Sequence, residues 1–190
     1  GPLHIGHCRG AIYGDVLSNL LKYCGHNVSK EYYINDYGNQ ITLFLKSIYF
    51  RAVEIVKKKK FPKDQGLYPG TYIIDITKEI LKKINIDDYD NFEDARITLG
   101  SIAIDLAMNL IKNDLDIMGI KHDIFTSESA IVRENILSQA INKLKDKGAI
   151  YKGVLPKPKG ENEDWEPREQ LLFKATNYIL GLHAGIMAKK

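Results

Sequence analysis

The sequence predicts an α/β fold: a parallel sheet whose strands alternate with helices and whose parts are separated by a mostly helical insertion. Three observations carry this reading. Gly1-Pro2-Leu3-His4-Ile5-Gly6-His7 is a small-residue turn running straight into a helical pattern. Val28 to Ile34 holds the β-favouring Val28, Tyr32, Tyr33 and Ile34, bracketed by His26-Asn27 and Asn35-Asp36. Beyond Gly38 the apolar residues recur mostly at helical rather than alternating spacing.

From His7 to Tyr23 the positions Ile12, Val16, Leu17, Leu20 and Leu21 share a helical stripe, and Gly25 follows as a stop. With a strand expected ahead of Gly1, this helix and the strand at Val28 to Ile34 make a βαβ unit. Ligands of such open sheets lie at the carboxyl ends of the strands, so the His4 to His7 turn and the Asn35-Asp36 turn are expected on one rim. Gly38 to Lys60 reads as a long helix burying Ile41, Phe44, Leu45, Ile48, Tyr49, Ala52, Val53 and Val56. It ends in Lys57, Lys58, Lys59 and Lys60. Cations there favour the helix dipole and stay solvated; the alternative is a patch for nucleic-acid phosphates.

Phe61-Pro62, Gly66, Pro69 and Gly70 break the pattern. Helices follow at Tyr72 to Ile84 and Phe92 to Gly119, the latter with Ile102, Leu106, Leu110, Leu115 and Ile117 in the core. His122 to Phe125 reads as a short strand, Ser127 or Ser129 as the cap of a helix at Glu134 to Lys147, and Gly148 as its end. A strand at Ala149 to Leu155 passes into the polar loop Pro156 to Asp164. The expected organisation is the first part of a nucleotide-binding domain at 1–45, the helical insertion at 46–155, and a loop with an incomplete continuation of the domain at 156–190.

With 190 residues, 44% of them hydrophobic, the chain can bury one sizeable core and a smaller appendage. A net charge of +3 leans toward anionic partners but falls short of a dedicated nucleic-acid-binding domain. Cys8 and Cys24 have no paired spacing and read as reduced thiols, which together with the lack of a leader points to the cytoplasm. No apolar run reaches the roughly 18 residues of a membrane span, so no membrane partner is expected.

The opening turn suits a polyphosphate. The first N–H groups of a helix lack partners and its dipole is positive there, so an anion settles. Gly6 lets the backbone come close to such a ligand, and His4 and His7, about one turn apart, can lie on one face and donate to phosphate oxygens. Arg9 could add a cation, though a surface ion pair with Asp15 or Glu31 is the favoured reading. Cys8 reads as packing rather than a nucleophile, lacking an activating base not already engaged. His26, His122 and His183 are not spaced as metal ligands, and no structural metal is expected.

The run His4-Ile5-Gly6-His7-Cys8-Arg9-Gly10-Ala11, followed after a helix by Tyr32-Tyr33-Ile34-Asn35-Asp36-Tyr37-Gly38-Asn39-Gln40, resembles the start of the catalytic domain of arginyl-tRNA synthetases, with their HIGH motif. These are class I aminoacyl-tRNA synthetases. Asp123-Ile124-Phe125-Thr126-Ser127-Glu128-Ser129, Gly148-Ala149-Ile150-Tyr151 and Asp164-Trp165-Glu166 extend the resemblance to about residue 178. After Asn177-Tyr178 the sequence departs from the family's pattern.

The resemblance implies a class I Rossmann-like fold truncated at both ends, and a ligase that joins arginine to ATP and then to tRNA(Arg) with Mg²⁺ assistance. It implies that His4, Gly6 and His7 bind ATP, that His4 and His7 are catalytic, and that His7, Asn35, Asp36 and Gln40 hold arginine. The parent enzyme is expected to be a monomer. The family's second, lysine-containing signature and its guanidinium readers are expected outside this sequence. The alternative is a non-catalytic adenosine-nucleotide- or tRNA-binding remnant; another nucleotidyltransferase is disfavoured by the Asn35-Asp36-x-Gly38-Asn39-Gln40 run.

Overall fold

A computed structural model describes residues 1–63, 66–155 and 167–174. The chain divides into two compact units, Gly1–Ser129 and Ala130–Lys190. The expected loop at Pro156 to Asp164, Trp165-Glu166, His183 and the divergent tail lie outside the described residues.

In the first unit, helix α1 (Ile5–Tyr23) precedes strand β1 (Glu31–Ile34), and helices α2 (Asn39–Lys57), α3 (Thr71–Leu81) and α4 (Phe92–Ile117) lead to strand β2 (Ile124–Ser127) and the start of α5 (Glu128–Arg133). β1 and β2 pair in parallel, Glu31 opposite Ile124 and Ile34 opposite Ser127. Parallel neighbours cannot be joined by a tight turn, and α2 to α4 supply the crossover. Both strands start later than the sequence predicts, for one reason. The Asp123 carboxylate accepts the Lys30 N–H at 2.7 Å, and the Asp123 N–H donates to the Lys30 carbonyl at 2.7 Å. That clamp takes Lys30 and Asp123 out of the ladder and sets the register that follows.

The core of this unit lies among α2, α3 and α4. Ala95, Leu99, Ala103, Ala107, Ile111 and Leu115 recur every fourth residue along the buried side of α4, and its alanines permit close helix approach. Against the upper part of that stripe pack Phe44, Leu45, Ile48 and Ala52 of α2 and Ile73, Ile76 and Ile80 of α3. Ile102, Leu106 and Leu110 flank this core half-buried, whereas Ile117, expected inside, is 85% exposed because the helix ends there. Ser47 is buried without penalty: its hydroxyl donates to the Leu43 carbonyl and accepts the Tyr68 N–H at 2.9 Å, pulling the 66–70 segment back along α2.

Helix ends follow local chemistry. α2 stops at Lys57, short of the expected Lys60, because Lys58 turns left-handed at φ 56° and its ammonium donates to the Ile55 carbonyl. Lys57 bridges to Asp87 in a 3₁₀ turn (Ile86–Asp88) at 3.1 Å. Asn91 caps α4, accepting from the N–H groups of Glu93 and Asp94. The helix expected at Glu134 to Lys147 is α6 (Ile136–Asp146), which starts from left-handed Asn135 with no side-chain cap, while Ser127 and Ser129 lie at the short α5 before it and bond to Asp36, described below.

The stripe on α1 is the largest departure. None of its residues is buried, and Ile12, Val16 and Leu20 are 48%, 60% and 57% exposed. Leu3 and Ala11 alone of this region pack on the second apolar cluster, Met108, Ile111, Leu115 and Ile120.

In the second unit α6 leads through Gly148, at φ 62°, to an antiparallel hairpin of β3 (Ile150–Val154) and β4 (Glu169–Phe173). β4 was not expected; its signal is the short apolar run Leu171-Leu172-Phe173. Leu172 and Ala149 are buried.

Ile48→Ala and Leu99→Ala each remove a side chain with no solvent exposure. Each is expected to cost about 2–5 kcal/mol of stability, read as a lowered urea midpoint, whereas Ile117→Ala at the exposed end of α4 leaves the midpoint in place.

Candidate active site

The entry to α1 is shaped by its own first histidine. His4 adopts extended backbone as the N-cap, and its Nδ1 accepts the N–H of Gly6 at 3.1 Å and of His7 at 3.4 Å. A neutral imidazole has one donor and one acceptor, so this fixes the proton on Nε2 and turns an N–H outward. The two first-turn N–H groups expected to meet an anion are therefore already engaged, and the donor offered in their place is the His4 ring. Its plane stacks on His7 with centroids 3.6 Å apart.

Gly6 makes this possible. A Cβ at that position would sit 3.0 Å from His4 Cε1 and 3.2 Å from its Nδ1, in the space the ring occupies. The glycine between the histidines thus has a physical cause in the cap itself.

Across from this turn, β1 ends at Ile34 and the chain reverses through Asn35, Asp36 and Tyr37 into Gly38, whose φ of 93° is one that L side chains rarely adopt. A cavity of about 710 Å³ in the first unit joins the two turns. Gly6, His7, Asn35, Asp36 and Gln40 line it, over an apolar wall that includes Phe44, Met108 and Ile111. The structure therefore brings five of the six expected site residues to one cavity; His4 stands beside it, stacked on His7. Asn35 and Gln40 are exposed.

Asp36 is held differently. Its Oδ2 accepts the hydroxyls of Ser127 at 2.7 Å and Ser129 at 2.9 Å, and its Oδ1 accepts the Ser129 N–H at 2.8 Å. Partial burial pushes the carboxyl upward, but the bonds from Ser127 and Ser129 outweigh it and hold Asp36 below the usual carboxylate range. Next to it the Tyr33 phenol is pushed up by burial, by the Glu128 charge and by a hydrogen bond to Glu128. The sequence reading missed the serines as part of the rim: the Thr126-Ser127-Glu128-Ser129 run was the available signal.

Other candidates resolve locally. Asp15 pairs with Lys30 at 2.8 Å and Glu31 accepts the Thr126 hydroxyl, so neither forms the ion pair expected with Arg9. Cys8 is half-buried and Cys24 exposed. His122 packs edge-on against Tyr32, with centroids 5.4 Å apart. Among the described residues no three His, Cys, Asp or Glu side chains gather as a metal site, and no helix is long and apolar enough to cross a membrane.

A histidine-bearing helix entry facing the carboxyl end of a parallel sheet, across a helical crossover, defines a class I tRNA synthetase catalytic domain of Rossmann-like type. The family model for "tRNA synthetases class I (R), catalytic domain" matches residues 1–153, and the chain belongs to that family. It is 51% identical over 180 residues to an arginine–tRNA ligase of Pelagibacter ubique and 44% identical over 180 residues to one of Ehrlichia chaffeensis, covering 94% of this chain and 31% of each relative. A solved Campylobacter jejuni structure described as an arginyl tRNA synthetase aligns with a TM-score of 0.73 at 31% identity, over 93% of this chain and 35% of that one. The chain thus spans about a third of the length of these relatives.

Two measurements check the site. Asp36 is stabilised as an anion, so its contribution is present above the ordinary carboxylate pKa of about 3.9 and is lost as pH falls through its lower folded value. Hydrogen exchange at the Ser129 amide, corrected for intrinsic rate, is expected to stay slow at pH 5 and to quicken below about pH 4. For His4, Asn keeps a capping oxygen and Ala does not; His4→Ala is expected to cost about 1 kcal/mol of helix stability and His4→Asn little, measured by chemical denaturation.

Proposed function

We propose that this chain supplies part of the catalytic domain of an arginine–tRNA ligase, which activates arginine with ATP and passes it to tRNA(Arg). The observation carrying this reading is the placement of the His4 to His7 turn and the β1 carboxyl end on one cavity. In activation, an arginine carboxylate oxygen forms a bond to the ATP α-phosphorus, the bond to the bridging oxygen breaks, and pyrophosphate leaves with that electron pair. No enzyme-bound covalent intermediate is required, so the protein contributes by positioning and by donors placed where negative charge grows.

The outward Nε2–H of His4 and the ring of His7 are those donors. His7 lies on the cavity wall, where it also reaches the amino acid, and Gly6 keeps the ATP side of the turn clear. Asn35 and Gln40 offer amides to arginine from the opposite lip, with Asp36 beside them. Mg²⁺ would be held by the ATP phosphates and its own water, a cation that needs few protein carboxylates, and would neutralise phosphate charge there. On this reading the parent is a monomer and is placed in the cytoplasm, the latter in keeping with two unpaired thiols.

A second reading concerns the 190-residue chain taken alone. By itself it binds adenosine nucleotide or tRNA without turnover.

Arginine-dependent ATP–pyrophosphate exchange by the complete parent tests the main reading. Exchange with arginine is expected, and His7→Ala or His4→Ala is expected to slow it by about 10²-fold or more. Exchange with a different amino acid only, or both variants at the wild-type rate, would remove it. The second reading predicts nucleotide binding without exchange for the 190-residue chain in calorimetry.

A further inference from the structure

We infer that Asp36, Ser127 and Ser129 form a latch that holds the Asn35 to Gln40 turn in its reactive position, and that the two serines are positioning residues for amino-acid activation. The inference rests on the activation reading above and assigns to Asp36 an action through its neighbours rather than on the substrate.

The parallel register is the starting point. Ile34 stands opposite Ser127 in the last pair of the ladder, so the residues two further on, Asp36 and Ser129, leave the two strands at matching levels. There the backbone ladder has ended, and the side chains continue it. Asp36 receives three donors, two hydroxyls and one backbone N–H, from the last residue of β2 and the first turn of α5. The hydroxyls are themselves 2.9 Å apart, so each restrains the other's rotamer. One residue before Ser129, Glu128 takes the Tyr33 phenol, a second tie between the same two chain ends.

A carboxylate filled in this way is poorly set to read a guanidinium. Bidentate recognition uses two parallel N–H···O bonds with both oxygens facing the fork. In Asp36 both oxygens are turned to the serines. What the latch does hold is the turn: Asn35 is fixed between Ile34 and Asp36, and Gly38 and Gln40 follow within one helical turn. A shift of about 1 Å at such a turn can cost roughly 10²-fold in rate without removing any group that touches substrate.

The test uses the full-length parent ligase and compares Ser127→Ala/Ser129→Ala, Ser129→Thr and Asp36→Asn. The double serine variant is expected to lower kcat of amino-acid-dependent exchange by about tenfold or more with KM for the amino acid within about twofold, and Ser129→Thr, which keeps the hydroxyl, to recover most of the rate. Adding Asp36→Asn to the double serine variant is expected to cost less than its effect in wild type, because the three act as a unit. The latch is overturned if the double serine variant exchanges like wild type, whether or not its Tm falls. It is equally overturned if Asp36→Asn raises KM for arginine by about 10²-fold independently of the serines, the signature of lost direct contact. Should the parent exchange with another amino acid and not arginine, the arginine reading fails separately, and the same kcat comparison with that amino acid still decides the latch.

Discussion

The parallel pairing of β1 with β2 is the constraint from which the rest of the molecule follows. Two strands lying side by side in the same direction oblige the chain to travel the full length of the sheet and return, and residues 35–123 make that journey. The helices on the way must bury apolar surface against one another, which α2, α3 and α4 do through isoleucines and small residues. The same pairing places the ends of both strands at one edge, where Asp36 meets Ser129 and the cavity opens toward the entry of α1. A clamp between Lys30 and Asp123 at the opposite end fixes the register on which this depends.

The histidine turn shows how one residue type serves folding and chemistry together. His4 satisfies two helix-terminal N–H groups with one nitrogen and presents the other outward, and Gly6 leaves the volume this needs. A helix cap and an outward N–H donor are ordinarily separate devices. Here they are the two edges of a single ring, so the orientation of the outer edge is inherited from the geometry of the helix.

Much of this was legible in the residues. Helical spacing identified α2, α3 and α4, because those helices bury a continuous face, and residue type identified the turn at Asn35-Asp36 and the stop at Gly148. The shared cavity of Gly6, His7, Asn35, Asp36 and Gln40 was legible from strand order alone. What the sequence concealed were contacts between distant residues. Nothing local says that Asp123 will bind Lys30 and delay both strands, that Asp15 will choose Lys30 over Arg9, or that Ser127 and Ser129 will bind the Asp36 carboxylate. Hydroxyls near a strand end have several local partners, and only the tertiary register selects among them.

The exposed stripe of α1 bears on how that helix is held. A helix of nineteen residues with no buried side chain is held by its own hydrogen bonds, the Lys30–Asp15 ion pair, the histidine cap and the half-buried Ala11, whereas α2 and α4 bury a continuous face. Across the cavity, the segment that carries His4 and His7 thus rests on fewer side-chain anchors than the turn after β1, which Ser127 and Ser129 tie through three hydrogen bonds to one carboxylate.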